Sequence, residues 1–286
     1  MSKMQLPNST TLLLNGAAIV IGLASLGVVL RSIFAPDQLA SCKERFENAT
    51  RLSLEREGVL MTASDLQGQA ANSDWGLIEA ANIVTLSSGP SKVAIEVDLA
   101  AVPSASRDAS AGRAGAGFNW VPQSFRKPKA ACLSYSVFVP EGFKFGRGGR
   151  LPGLYGVSEQ DGSEGAGEFT TRFTWNTSGE IDIYAQLPGL TESRSLGGKR
   201  GTLALQPGQW AELDQELVLN TPGQKDGIIR VWQNGALVVE RTDVIFRMRP
   251  SATLTGVMAE IAAGEGVVDK PGAQTILITP FVLLWQ

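Results

Sequence analysis

The sequence predicts an all-β chain, a jelly-roll β-sandwich, with one transmembrane helix ahead of it. Three observations carry this. From about Leu77 onward, short runs of alternating apolar and polar residues recur, each closed by a turn signal, with no helical pattern between them. The chain has 32 glycines and 14 prolines in 286 residues, which suits turn-rich β-structure rather than a helical bundle. No charged residue stands between Lys3 and Arg31. The organisation that follows is a membrane anchor over 1–34, a juxtamembrane stalk over 35–76 and a sandwich domain over 77–286.

The anchor rests on length and flanks. Leu12 to Leu30 is 19 residues long, with Asn15 and Ser25 as its clearly polar members. As a helix it spans roughly 28 Å, close to the hydrocarbon thickness of a bilayer. A signal peptide has a shorter apolar region and a small-residue cleavage site behind it. Here Arg31 follows directly, so an uncleaved anchor is the preferred reading. It implies a membrane partner and an extracytoplasmic location, periplasmic or at the cell surface.

Between the anchor and Leu77 the charge is mixed, and Phe46, Leu52 and Leu54 are loosely spaced as on a helix, hence the stalk. The strands follow in order. Ile83–Leu86 ends at Ser87-Ser88-Gly89-Pro90, and Val93, Ile95, Val97 and Leu99 alternate with polar residues. Ser104–Gly117 is rich in Ser, Ala, Gly and Arg and reads as a surface loop. Leu133–Val139 alternates up to Pro140-Glu141-Gly142. Phe169–Trp175 turns through Asn176-Thr177-Ser178-Gly179 into Ile181–Leu187. Trp210–Leu219 precedes Asn220-Thr221-Pro222-Gly223. Ile228–Gln233 and Ala236–Arg241 flank Asn234-Gly235, a strong hairpin signal. Leu254–Ile261 and Thr275–Leu284 complete the set. Trp175, Trp210 and Trp232 alternate with polar neighbours and read as core residues.

Composition narrows the chemistry. The chain has no histidine. That excludes a Ser-His-Asp triad, a Cys-His pair and an imidazole metal cage. Two cysteines cannot by themselves complete a four-thiolate zinc site or hold an iron–sulfur cluster. No metal and no cofactor is therefore expected. A net charge of −3 argues against nucleic acid as a partner. Cys42 and Cys132 form an even pair in a chain with an export-type segment, which points to a disulfide and an oxidising compartment; two separate buried thiols are the alternative.

Proton transfer must then come from carboxylates, Tyr, Lys or water. The hairpin Phe169–Leu187 puts Thr170, Arg172 and Thr174 on one face of its first strand and Asp182, Tyr184 and Gln186 on one face of its second. If the two faces coincide, a polar sheet surface results that needs water or a polar ligand. Just before it, Gly148-Gly149-Arg150-Leu151-Pro152-Gly153-Leu154-Tyr155-Gly156 reads either as a tightly shaped functional segment or as a glycine-rich loop.

At these residues the chain resembles a known family. GGRLPGLYG is similar to the GGKLPGL(Y/W)GG signature of polysaccharide lyases of family fourteen, which cleave alginate or glucuronan. SYSVFVPEGFKFGRGG resembles the strand and turn before that signature. FTTRFTWNTSGEIDIYAQLP resembles the family's S-x-R-x-x-W hairpin with its Y-x-Y pair, and WAELDQELVLNTPGQKDGIIRVWQNGALVVER its W…LNTPG…DG…W-x-(D/N)-G segment. The resemblance covers about residues 130–284.

It implies a uronate-binding groove on a curved sheet and cleavage by β-elimination without metal or cofactor, with an acidic polysaccharide as partner. Arg172 matches the family's Arg and is expected on the substrate carboxylate. Tyr184 matches the first Tyr and is the proton-transfer candidate. Thr170 stands in place of Ser, Arg150 in place of the family's catalytic Lys, and Gln186 in place of the second Tyr. Arg cannot serve as a base but can grip a carboxylate. Glu260 lies on a late strand that faces the groove in the family, and Arg147 with Lys144 would extend its basic side; these, with Thr170 and Gln186, are the expected substrate contacts. Two readings follow: a lyase in which Tyr184 moves the proton, or a carbohydrate-binding protein of polysaccharide secretion or the cell envelope that keeps the scaffold without cleavage.

Overall fold

The computed structural model describes residues 39–70, 73–100, 114–158, 169–197, 203–264 and 274–286. Among the described residues three short helical turns occur, at Cys42–Arg45, Ala63–Gln67 and Leu77–Ala80. The strands in chain order are β1 (Asn48–Arg51), β2 (Glu55–Arg56), β3 (Val59–Leu60), β4 (Asp74–Trp75), β5 (Ala81–Thr85), β6 (Val93–Asp98), β7 (Gly115–Trp120), β8 (Ala130–Phe138), β9 (Gly149–Ser158), β10 (Phe169–Trp175), β11 (Ile181–Gln186), β12 (Arg194–Ser195), β13 (Trp210–Val218), β14 (Gly227–Gln233), β15 (Ala236–Val244), β16 (Ala252–Ala263), β17 (Thr275–Ile278) and β18 (Val282–Trp285).

Apart from β2 and β3, which pair with each other, they build two antiparallel sheets packed face to face. One runs β12-β11-β10-β9-β16-β7-β4. The other runs β15-β14-β13-β8 and then divides, because the far edge of β8 pairs with β18 at Ala131–Ser134 and with β17 at Val137–Phe138. Alternation decides the faces. Leu133, Tyr135 and Val137 of β8 and Leu213 and Leu217 of β13 meet Phe169, Phe173 and Trp175 of β10 in one core.

Two polar side chains cross that core. Tyr135 donates its hydroxyl hydrogen to Pro152 O, 3.0 Å away. Gln215 is fully buried on β13; its Oε1 accepts from Leu154 N at 2.9 Å and its Nε2 donates to Thr171 O at 3.1 Å. Both contacts reach β9 and β10 where the ladder between them is interrupted.

Several expectations need correction. Residues 40–76 do not form a stalk; they belong to the same compact unit, Ala40–Gln286. Asn48–Arg51 extends the large sheet by pairing with β18. Ahead of it, Cys42 is bonded to Cys132 of β8, with Cα atoms 5.7 Å apart. Closing a loop of that length contributes about 4–5 kcal/mol by restricting the unfolded chain. Lys43 pairs with Glu212 at 2.6 Å, Arg45 with Glu216 at 2.6 Å, and Ser41 donates to the buried Asp214. This attachment lies on the outward face of the large sheet, where Phe46, Trp232 and Leu284 form a second, smaller apolar cluster.

Gly115–Gly117, read as the end of a loop, opens strand β7; 104–113 lie outside the described residues. The single strand expected over Thr275–Leu284 breaks at Thr279-Pro280, where the sheet divides. Trp175 and Trp232 are buried as expected, whereas Trp210 is partly exposed against Phe138. The N-terminal apolar segment lies outside the described residues. Among those described, no helix is long and apolar enough to cross a membrane.

Replacing Gln215 by Ala strands Leu154 N–H and Thr171 C=O in the core. The expected cost is about 2–5 kcal/mol, read as a lowered urea midpoint; an unchanged midpoint contradicts the role given to this side chain.

Candidate functional site

The site is built on the outward face of the seven-stranded sheet. In the β10–β11 hairpin, Thr170 pairs with Gln186, Arg172 with Tyr184 and Thr174 with Asp182. Their neighbours Phe169, Thr171, Phe173, Ile181, Ile183 and Ala185 are buried. The two polar faces read from the sequence are therefore one face.

Arg150 joins it from β9. The segment around it is a central strand rather than a loop, and its glycines have local causes. Leu151 pairs with Phe173 and Leu154 with Thr171, so Pro152 and Gly153 together oppose Arg172. This is a two-for-one β-bulge. Proline fits because it has no N–H to leave unpaired. Glycine fits because a Cβ at position 153 would lie 1.7 Å from Thr171 O. On β16, Met258 pairs with Gly153 and Ala262 with Arg150, and Glu260 sits in the irregular stretch between them.

Glu260 is 5% exposed and lies between the two guanidinium groups. Arg150 Nη1 donates to its Oε1 at 2.6 Å, and Arg172 Nη1 donates to its Oε2. Burial pushes the Glu260 carboxyl up, but the charges of Arg172 and Arg150 and their hydrogen bonds outweigh it, so it is held below its ordinary value of 4.5. A carboxylate held ionised this way is a poor proton acceptor. The cluster carries two positive charges and one negative. Beside it, Arg172 Nε and Thr170 Oγ1 are buried without a hydrogen-bond partner. The accessible positive charge of the face is the outer edge of Arg150, whose side chain is 38% exposed.

The three tyrosines differ sharply. Tyr135 is committed to the core, and burial pushes its hydroxyl well up. Tyr155, on the site face opposite Thr170, is 5% exposed, and burial pushes it to about 12. Tyr184 is 41% exposed and directly across from Arg172. Gln186 is exposed beside Thr170. Arg147 is exposed on the turn before β9, and Lys144 is exposed in the preceding loop; neither forms part of the ion-pair cluster. Among the described residues no group of three His, Cys, Asp or Glu side chains is placed to hold a metal.

Sequence reasoning placed Glu260 against the substrate, whereas the structure makes it the partner of both arginines. Tyr155 was missed as a face residue, because reading its segment as a possible loop hid the alternation that begins again after the bulge.

The fold and this face define a class: an antiparallel β-sandwich whose outer sheet surface carries two arginines bridged by a buried carboxylate. The chain belongs to polysaccharide lyase family 14, whose family model matches residues 89–264. Among solved structures it is similar to the marine PL-14 alginate lyase from Aplysia kurodai, with a TM-score of 0.65 and 23% identity over 84% of this chain and 99% of that one. It is also similar to alginate lyase vAL-1 from Chlorella virus, at 0.61 and 20% identity over 83% and 99%. The endo-β-1,4-glucuronan lyase of Trichoderma reesei shares the fold at 0.55 and 9% identity over 84% and 96%. No curated protein matches the chain.

The depressed Glu260 sets a pH dependence. Its ionised form contributes stability above about pH 4.5 and loses it as pH falls through the lower folded value. Glu260→Gln is expected to cost about 3–5 kcal/mol near pH 7, with the gap to wild type narrowing at acid pH, below the ordinary carboxyl value of 4.5. Denaturant unfolding at neutral and at acid pH tests this; a gap that does not change with pH contradicts it.

Proposed function

We propose that this protein is a lyase that cleaves a uronate-containing polysaccharide by β-elimination. The observation that carries the reading is the placement of Tyr184, accessible and cross-strand from Arg172, beside the Arg150–Glu260–Arg172 cluster. The alginate and glucuronan lyases that share the fold support the substrate class.

The guanidinium groups would bind the C6 carboxylate and neutralise the charge that grows at C5 and C6 as the C5–H bond breaks. The Tyr184 hydroxyl would relay the proton, receiving it from C5 while passing its own to the glycosidic oxygen. The C4–O bond then breaks and a C4=C5 double bond remains. Arg150 stays protonated and cannot act as base, Glu260 is held ionised, and Tyr155 is buried. Tyr184 would therefore serve as both acid and base.

A second reading has its own support. Both arginines are already engaged by Glu260, and Gln186 cannot move a proton near neutral pH. A face of that kind also suits a binding protein without turnover. Near-ultraviolet absorbance of unsaturated uronate separates the two. Alginate and glucuronan are expected to give signal with wild type, and Tyr184→Phe is expected to lower the rate at least about 100-fold while binding persists. Binding by wild type without any absorbance on either polymer decides for the binder.

We further propose that the N-terminal apolar segment holds the protein at a membrane on its extracytoplasmic side. The uncharged run from Met4 to Leu30 and the Cys42–Cys132 disulfide support this. Full-length protein is expected in the alkaline-carbonate-resistant membrane fraction, and release by carbonate overturns it.

A further inference from the structure

Of the six tryptophans, Trp120, Trp175 and Trp232 are buried, Trp210 packs on Phe138 and Trp285 on Phe125. Trp75 is different. It lies on the edge strand β4, is partly exposed, and makes no ring contact among the described residues. Its backbone partner is Gly117 of β7. Ala116, Phe118 and Trp120 of that strand are buried, so Gly117 is on the outward face, the face that carries the site. A Cβ on Gly117 would lie 2.2 Å from the indole Nε1, 2.7 Å from Cε2 and 3.1 Å from Cδ1. Three ring atoms that close to one backbone position mean that the indole lies down over the glycine and that the glycine is needed to admit it.

The register then places this indole with respect to the ion pairs. Gly117 pairs on its other side with Glu260. Trp75, Gly117 and Glu260 thus form one row across the strands, and the row continues past the β9 bulge to Arg172 and Tyr184. Two inter-strand steps separate Trp75 from Glu260, about 10 Å. That is too far for the sugar whose carboxylate the arginines hold, and within reach of a neighbouring sugar of the same polymer. An indole laid against a sheet, with a flat apolar surface and a polar N–H edge, suits a pyranose ring, which has C–H groups on its faces and hydroxyls at its rim.

We propose that Trp75 is a sugar-stacking platform and that a uronate polymer crosses the strands of the seven-stranded sheet from Tyr184 to Trp75. This rests on the substrate class proposed above and adds the direction of the chain and a second contact point. Gly117 is the positioning residue that lets the platform form.

The test compares calorimetric binding of uronate di- and hexasaccharides prepared from alginate and from glucuronan, with Tyr184→Phe as the background so that no cleavage intervenes. Trp75→Ala is expected to weaken hexasaccharide binding about tenfold and disaccharide binding less than about twofold, with Trp75→Phe between wild type and Ala. Gly117→Ala, which displaces the indole without removing it, is expected to show the same length-selective loss; it keeps the proposal testable if Trp75→Ala does not fold. Equal weakening at both lengths, or no weakening in any of these variants, overturns the platform. If Arg172→Ala abolishes binding while the Trp75 and Gly117 variants bind normally, only the platform falls. If the background protein binds neither oligosaccharide, the substrate class falls with it.

Discussion

Gln215 reaches through the core from one sheet to hold the other at the Pro152-Gly153 bulge, and the site face depends on that contact. In a regular strand, side chains alternate without exception. Leu151 and Leu154 are three apart, yet both face the core, so one extra residue must be absorbed between them. The Pro152-Gly153 bulge absorbs it. Without the bulge, everything after it turns over: Leu154 would face solvent and Tyr155 the core, while Arg150 kept its place. The bulge also removes ladder hydrogen bonds, and the amide of Gln215 replaces two of them, with the Tyr135 hydroxyl satisfying Pro152 O. A buried polar network of this kind is costly unless complete, and here each of these groups has a partner.

The electrostatics of the face follow from Glu260. Two guanidiniums side by side on a sheet repel; a carboxylate between them, largely out of water, converts repulsion into a fixed pair of forks. The same arrangement removes Glu260 from proton chemistry, because the charges that anchor it also hold it ionised. With no histidine in the chain and Tyr155 sealed, acid–base capacity narrows to one phenol. In the proposed lyase, binding of an anion and transfer of a proton would fall to different residues, and only the second has a single candidate.

Much of this was legible from the residues alone. The Phe169–Leu187 hairpin alternates strictly, so the polar face of each strand could be read directly, while the register that makes them one face came from the structure, and Asn234-Gly235 marked the β14–β15 turn. The family signature pointed to a segment that supplies Arg150 to the ion-pair cluster, even where its local structure was misread. β9 was obscure for a physical reason: a bulge breaks the period of two, and glycines needed to admit Thr171 O and the Trp175 and Phe169 rings look like loop glycines in sequence. β7 was obscure for the same reason, since Gly117 exists to make room for Trp75. The stalk misreading came from mixed charge over residues 43–57, whose first two basic members, Lys43 and Arg45, are in fact paired with Glu212 and Glu216, residues more than 150 positions away that no local pattern reveals.

The disulfide and its flanking ion pairs also settle where mechanical load enters the molecule. A pull on the chain ahead of Ala40 meets the covalent bond to Cys132 almost at once. From there it passes into β8 near its start, where Glu216 of β13 and Leu284 of β18 flank Cys132, rather than peeling an edge strand. The seven-stranded sheet lies on the far side of the core and is not in that path. A load on that segment therefore enters on the opposite side of the sandwich from Arg150, Glu260 and Arg172.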